Sequence, residues 1–290
     1  MNFKEKIKSK KFIITCEIAP PKGINVDKVL KGVEILKGKV DAINVTELQS
    51  SVMRLGSMVM SYLLKTKGFE PICQVTGRDR NRLALQSDLL SGYVLGITNV
   101  LALTGDHPQR GDHPQAKPVY DLDSIQILEA IKLLNSGLDM AGNGLDGKPD
   151  IFAGAVVNPG ADPIGAEIIK MEKKISAGAE FFQTQAVFDI EKFANFMKKI
   201  PHIKVPVLPS VILLKSGQMA RYMNENVAGI EVPDSIIKEM DSADKNDKVK
   251  KSVEICARLI KGLRPYCRGV HIMPLGWESK VPLVLDAAGL

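Results

Sequence analysis

The 290-residue sequence predicts a (β/α)8 TIM barrel, an α/β fold with extra helices folded as a single domain over residues 1–290. Three observations lead there. Four strand-like runs begin at residues 13, 42, 71 and 100, a constant step of 29, with a helical pattern between each pair. Four more apolar runs follow, making eight, and a strand that returns parallel to its neighbour needs a crossover helix of this kind. Closing eight such units leaves no sheet edge exposed. An open doubly wound sheet is the alternative, but it expects a G-x-G-x-x-G turn after the first strand, where "EIAPPKG" stands instead.

The elements follow in order. The first strand, "IITCEI", is shut off by Pro20-Pro21 and followed by a helical pattern over 26–38. "AINVTE" leads to a helical pattern at 50–68, "PICQVT" to one at 79–96, and "VLALTG" to one at 122–137. "IFAGAVVN" (151–158) precedes helix 162–177, and "FFQTQAVF" (181–188) precedes helix 188–199. "VPVLPSVIL" (205–213) is followed by helices at 215–224, 234–242 and 248–263, before the last strand, "GVHIMPLG" (269–276). The glycine-rich "AGNGLDGKPD" precedes a strand rather than following one and reads as a surface turn.

Composition narrows the function classes. The net charge of +6 comes from lysines interleaved with acids, and aromatics make up only 5%, so there is neither a basic stripe nor a stacking platform for nucleic acid. No apolar run approaches the roughly 20 residues of a membrane span. The basic N-terminus, "MNFKEKIKSKKF", lacks the apolar stretch of a signal peptide. Cys16, Cys73, Cys256 and Cys267 are scattered without C-x-x-C spacing, which predicts reduced thiols, a cytoplasmic location and no zinc knuckle or iron–sulfur cluster. His107 and His113 in "GDHPQRGDHP" are each followed by proline and have no third ligand at suitable spacing, so no metal is expected.

Active sites of such barrels lie at the C-terminal ends of the strands. Those ends carry Glu17, Thr46-Glu47, Gln74 to Thr76, Thr104-Gly105-Asp106, Asn158, Gln183 and Gln185. Glu17 stands where the local pattern calls for a hydrophobe. It is either a strand-end acid paired with a lysine such as Lys22, or a general acid, since a carboxyl group among apolar neighbours keeps its proton more readily. Gly105 lets a flat ligand approach the backbone, and Asp106 at the same strand tip is placed for ligand contact. Arg78, Arg80 and Arg82 at a helix start either attract phosphate or pair with acids such as Asp79. Lys173-Lys174, late in a helix, reads on its own as a solvated pair. Gln185, an amide among phenylalanines, needs hydrogen-bond partners if buried.

Taken together, "CEIAPPKG", "NVTE", "QVTGRDRNR", "LALTGDHP", "SAGAEFFQTQAVFD", "ENVAGIEVP" and "GVHIMPLG" resemble the methylenetetrahydrofolate reductase family, in order, from about residue 12 to 285. The resemblance is to the bacterial, catalytic-barrel-only type, without the C-terminal regulatory domain of animal forms, so control by S-adenosylmethionine is not expected. It implies a flavin-containing barrel that reduces 5,10-methylenetetrahydrofolate to 5-methyltetrahydrofolate. Glu17 then corresponds to the catalytic acid, Asp106 to the aspartate beside flavin and folate, and Gln185 to the glutamine that meets the pterin or nicotinamide. Thr46, Gln74, Leu103, Thr104, Gly105, Asp106, Tyr120, Gly154, Asn158, Glu167, Lys170, Lys173 and Lys174 fall at flavin-contacting positions, the lysine pair holding cofactor phosphates. Departures occur at Gln74 and Asn158, where relatives commonly carry histidine, and at Thr104, where they carry arginine.

The cofactor so implied is FAD, the family's usual flavin, with FMN as the alternative. Electrons would come from NAD(P)H or a redox partner subunit, and an oligomer or complex is expected. Two other readings use the same barrel: a folate-binding methyltransferase without flavin, and a non-catalytic subunit of a redox complex. A Schiff-base aldolase ranks last, because no lysine lies within the strand runs.

Overall fold

The structure, a computed structural model, describes residues 1–9, 12–227 and 229–290. Lys10, Lys11 and Ala228, which fall within two of the quoted segments, lie outside the described residues. Eight parallel strands close into a barrel in sequence order. They are β1 (Ile13–Ile18), β2 (Ala42–Val45), β3 (Pro71–Thr76), β4 (Asn99–Leu103), β5 (Phe152–Val157), β6 (Phe181–Ala186), β7 (Val207–Ile212) and β8 (Gly269–Met273). β1 closes the barrel on β8, with Ile13 opposite Gly269 and Thr15 opposite His271.

A short helix, α1 (Phe3–Lys8), precedes β1; α2 (Asp27–Val33) to α7 (Ile190–Lys199) then follow the first six strands. Between these two lie α3 (Ser57–Thr66), α4 (Arg82–Val94), α5 (Ser124–Ser136) and α6 (Ile164–Ser176). Three helices separate β7 from β8: α8 (Gly217–Asn226), α9 (Asp234–Ser242) and α10 (Lys248–Leu263). α11 (Val281–Ala288) closes the chain. The (β/α)8 prediction therefore holds, extra helices included.

Alternation along each strand divides the core in two. Outward residues such as Cys16, Ile43, Cys73 and Val100 pack under the helices in the larger cluster. Inward residues at the N-terminal end form a second cluster of Phe3, Ile7, Ile13, Ala42, Ile72, Leu101, Phe152, Phe181 and Leu208. Phe3 meets Phe152 and Phe181 edge-on, at centroid distances of 5.9 and 5.4 Å. Burying a phenylalanine of this kind contributes about 2 kcal/mol. α1 thus plugs the bottom of the barrel, a role the basic N-terminal sequence does not announce because only Phe3 and Ile7 face inward.

Several helices start later than the periodicity predicts, whereas α9 and α10 keep the predicted 234–242 and 248–263. The pattern over 50–68 becomes helical only at Ser57, because Leu48, Ser50 and Ser51 adopt positive φ and the chain then extends. α4 begins at Arg82, where the Asn81 side chain accepts from the Ala84 N–H. α5 is capped by Asp123 and ends at Gly137, whose φ of 93° favours glycine. These displaced starts lengthen the loops that rise above the C-terminal mouth.

Candidate active site at the C-terminal mouth

Glu17 is the last but one residue of β1, on the inner face of the barrel. Its neighbour two residues back, Thr15, reaches across the interior to Gln183 of β6, so both side chains point inward while Cys16 packs outside. Glu17 is 7% exposed and lines a cleft of about 330 Å3 together with Gln49, Arg54, Leu275 and Glu278. The expected apolar surroundings are corrected by the structure. His271 Nε2 lies 3.7 Å from Glu17 Oε2, and Gln49 Nε2 lies 3.4 Å from Oε1. Lys22 is not the partner of Glu17; it pairs with Asp112 instead.

Beneath Glu17 a polar layer crosses the barrel. Thr15 Oγ1 is 2.9 Å from His271 Nδ1, and Gln183 Nε2 donates to Thr15 Oγ1 at 3.3 Å. Gln183 and Asn44 exchange two further hydrogen bonds, of 2.5 and 3.1 Å. Each of these side chains is almost fully buried, and each is satisfied by the others. Gln183, read from the sequence as a mouth residue, is in fact 2% exposed and belongs to this inner layer. Gln185, two residues on, sits half-buried where the β6–β7 register shifts between Gln183 and Ala186.

The opposite rim is built by β2, β3 and β4. Thr46 is buried with its Oγ1 unpartnered, an orphaned polar atom at the tip of β2. Gln74 points inward from β3, and Leu103 packs against the inner cluster. Gly105 adopts a φ of 90°, and a Cβ there would lie 3.1 Å from the Arg78 side chain and 3.2 Å from that of Thr76. The Asp106 carbonyl accepts from Ser51 Oγ at 2.7 Å and Arg78 Nη1 at 3.2 Å, which pins the backbone and leaves the carboxylate exposed. Tyr120, with a φ of 43°, donates its hydroxyl to the Gly105 carbonyl at 3.2 Å. Thr104 Oγ1 accepts from the Ser124 N–H.

The three arginines of "GRDRNR" are all paired. Arg78 bonds Asp79, Arg80 joins Glu47 and Asp88, and Arg82 grips Asp121. Glu47 is therefore a buried structural anion that also accepts from the Thr76 N–H. Ion pairing, not phosphate binding, is what the geometry shows for these arginines.

The predicted tail-binding residues separate. Asn158 caps its own loop by accepting from Gly160 N–H, and its backbone N–H donates to Glu167. Lys174 donates to the Val156 carbonyl at 2.6 Å, and burial pushes its ammonium pKa down. Lys173 and Lys170 are exposed, Lys173 facing an outer groove between α5 and α6 alongside Ile125, Glu129 and Ile169. Gly154 lies lower in the barrel than a mouth residue. A Cβ there would come within 2.3 Å of the Phe181 ring, so the missing side chain makes room for that ring.

His271, Thr15, Asn44 and Gln49 were not singled out in the sequence. The available signal was a histidine and a threonine at inward parity in otherwise apolar strands. Among the described residues, no cluster of three metal-ligating side chains occurs, and no helix is long and apolar enough to cross a membrane.

The sequence profile of the methylenetetrahydrofolate reductase family matches residues 2–289. The chain belongs to this family. Among family relatives, it is 23% identical over 310 residues to the probable methylenetetrahydrofolate reductase (NADPH) of Caenorhabditis elegans, covering 98% of this chain and 43% of that protein. It is 24% identical over 250 residues to the 5,10-methylenetetrahydrofolate reductase of Pectobacterium carotovorum subsp. carotovorum, covering 83% and 76%. This chain thus spans less than half the length of the nematode reductase. A protein from Clostridium thermocellum, described as binding two copies of 5-methyl-5,6,7,8-tetrahydrofolic acid, superposes with a TM-score of 0.60 at 18% identity, over 98% of this chain and 97% of that one. A 2,3-dimethylmalate lyase superposes at 0.52 with 10% identity over 99% and 87%. These structural likenesses show a shared barrel.

Proposed function

We propose that this chain is an oxidoreductase that reduces 5,10-methylenetetrahydrofolate to 5-methyltetrahydrofolate, with a bound flavin and electrons from NAD(P)H or a redox partner subunit. The observation that carries the reading is the inward, buried carboxyl of Glu17 lining a mouth cleft, in a member of this family.

The rim formed by β2, β3 and β4 fits a flat heterocycle with polar edges. Thr46 Oγ1 lacks a partner, Gln74 offers an amide, and Gly105 and Leu103 present backbone and apolar surface beside them. When bound there, flavin supplies the hydride for the one-carbon bridge. FAD and FMN share the ring this rim would hold. Lys174 would reach a cofactor tail only by giving up its bond to Val156, whereas exposed Lys170 would meet a phosphate without that exchange; Lys173 faces the outer groove.

The chain's own residues account for the proton chemistry. The bridge carbon becomes electrophilic when N10 is protonated and the five-membered ring opens to an iminium at N5; Glu17 is the donor. Thr15 receives a hydrogen bond from Gln183, and its hydroxyl proton has the Val270 carbonyl at 3.5 Å and His271 Nδ1 at 2.9 Å within reach; in the tautomer that accepts it at Nδ1, the ring's Nε2–H faces Glu17. That N–H, with the Gln49 amide, stabilises the carboxylate that remains after the proton has gone. Asp106 offers negative charge to the cationic folate, and Gln185 orients the pterin.

Glu17→Gln tests the assignment. The variant should retain flavin and still be reduced by the electron donor, while folate reduction falls on the order of a thousandfold. Folate turnover close to the unsubstituted protein's would remove Glu17 from the acid role.

A further inference from the structure

A groove of about 860 Å3 runs down the outer wall of the barrel between α5 and α6, away from the mouth. Residues one helical turn apart line each side of it: Ile125, Glu129 and Leu133 on α5, Ile169 and Lys173 on α6, and Ala177 at the α6 C-cap. Both helices follow a strand and so run the same way, from the mouth downwards. Their heights are fixed near the bottom. Lys132 Nζ donates to the Ser176 carbonyl at 3.0 Å, and a Cβ on Gly178 would lie 3.5 Å from the Lys132 side chain. Three residues up each helix, Glu129 and Lys173 therefore stand about level, and four residues further up so do Ile125 and Ile169. Glu129 and Lys173 make no ion pair among the described residues, with each other or with a third group, whereas Glu172 beside them pairs with His202 at 2.9 Å. Ile169 is 55% exposed.

The groove thus carries an unpaired acid on one wall and an unpaired base on the other, at one height, with apolar residues above and below. A partner has to offer a base opposite Glu129 and an acid opposite Lys173, framed by apolar surface. The same groove on a second copy of this chain meets that requirement under a single operation. A two-fold axis running along the groove lays α5 of one copy on α6 of the other and keeps every residue at its own height. Ile125 then covers Ile169, Glu129 meets Lys173, and Leu133 covers Ala177, each contact being made twice. Four charges of alternating sign form a square at the centre, and the exposed isoleucines leave water. We propose that the α5–α6 groove is the face through which two copies of this chain associate, with the Glu129–Lys173 contacts setting its register.

Light scattering on the full chain in low salt tests this. The unsubstituted protein should have an even multiple of the 31.6 kDa chain mass. Glu129→Lys and Lys173→Glu each set like charges face to face, and each should raise the dissociation constant by about tenfold or more and halve the mass. Mixed one to one, these two variants should regain the full mass, because two lysines of one copy then face two glutamates of the other. A folding defect or the loss of an unrelated contact cannot be repaired by such mixing. Ile169→Asp should also halve the mass. A monomeric unsubstituted protein would overturn the proposal, as would a mass that none of the three substitutions changes, or charge variants that stay at half mass when mixed. A groove that associates only when a different protein is added would overturn it too, by giving this face to another partner.

Discussion

His271 Nε2 stands 3.7 Å from Glu17 Oε2, while the other nitrogen of the same ring lies 2.9 Å from the Thr15 hydroxyl. The imidazole is thus held from behind, with its Nε2 turned to the Glu17 carboxyl near the end of β1. Thr15 is in turn held by Gln183, and Gln183 by Asn44, so the aim of the ring is set by residues from β1, β2, β6 and β8.

Replacing the ring should therefore affect one half-reaction selectively. His271→Phe is expected to slow folate reduction by on the order of tenfold to a hundredfold. Flavin reduction by the electron donor should change little. His271→Gln, which retains an N–H donor, should recover part of the loss. Stopped-flow measurement of the two half-reactions separates these effects, and equal slowing of both would mean that the ring only supports the fold.

Gly154 tests the packing beneath the mouth. An alanine methyl would meet three atoms of the Phe181 ring at 2.3 to 2.5 Å, and Phe181 is clamped between Phe3 and Phe152. Gly154→Ala should cost about 1–3 kcal/mol, read as a lowered denaturation midpoint. A variant as stable as the unsubstituted protein would show that the aromatic plug yields easily.

The thiols offer a chemical check on the core. Burial pushes Cys73 and Cys267 up to about 11 and Cys256 up to about 12, and Cys16 is raised as well, by burial first and then by nearby acids. A disulfide reagent at pH 8 should find no fast-reacting thiol in the native protein and four after denaturation. Rapid modification of one thiol in the native state would contradict its placement.

Acid should loosen the rim before it unfolds the barrel. Lys22–Asp112 ties the first loop to the segment after β4, and Arg82–Asp121 ties the start of α4 to the same segment. Hydrogen bonds from Lys22 first, then His113, hold Asp112 well below its usual value, and those from Arg82 lower Asp121 from 3.8 to about 2. Because both folded values are depressed, the stabilisation is complete above the ordinary carboxylate range and is lost as pH falls through the folded values. Both pairs are exposed, so the effect is local and weakened by salt. Amide exchange in residues 105–121 should rise as pH drops from about 4 towards 2, after correction for intrinsic rates. Uniform protection over that range would exclude the clasps.

Much of this was legible in the chain because it is written at short range. The step of 29 between strand starts, the alternation of "IITCEI" and the Pro20-Pro21 stop determined the barrel, and strand direction then placed Glu17, Thr46, Gln74 and Asp106 at one mouth. The helix caps at Asn81 and Asp123 are local as well, although positive φ at Leu48 to Ser51 delayed α3 beyond its apolar pattern. The plug made by Phe3 was not legible, since two apolar residues in six do not reveal what they cover.

Sequence by itself determined which side chains face inward, because parity along a strand is a property of the backbone. Only the tertiary structure decided which of those inward groups meet. Thr15 and His271 are 256 residues apart and Asn44 and Gln183 are 139 apart, yet closure of the barrel brings each pair within hydrogen-bond reach. Closure likewise sets Lys215 against Trp277 and leaves Lys173 on the outer wall. Hydrogen bonds and ion pairs fall off within a few ångströms, and separation along a chain says nothing about distance across a barrel.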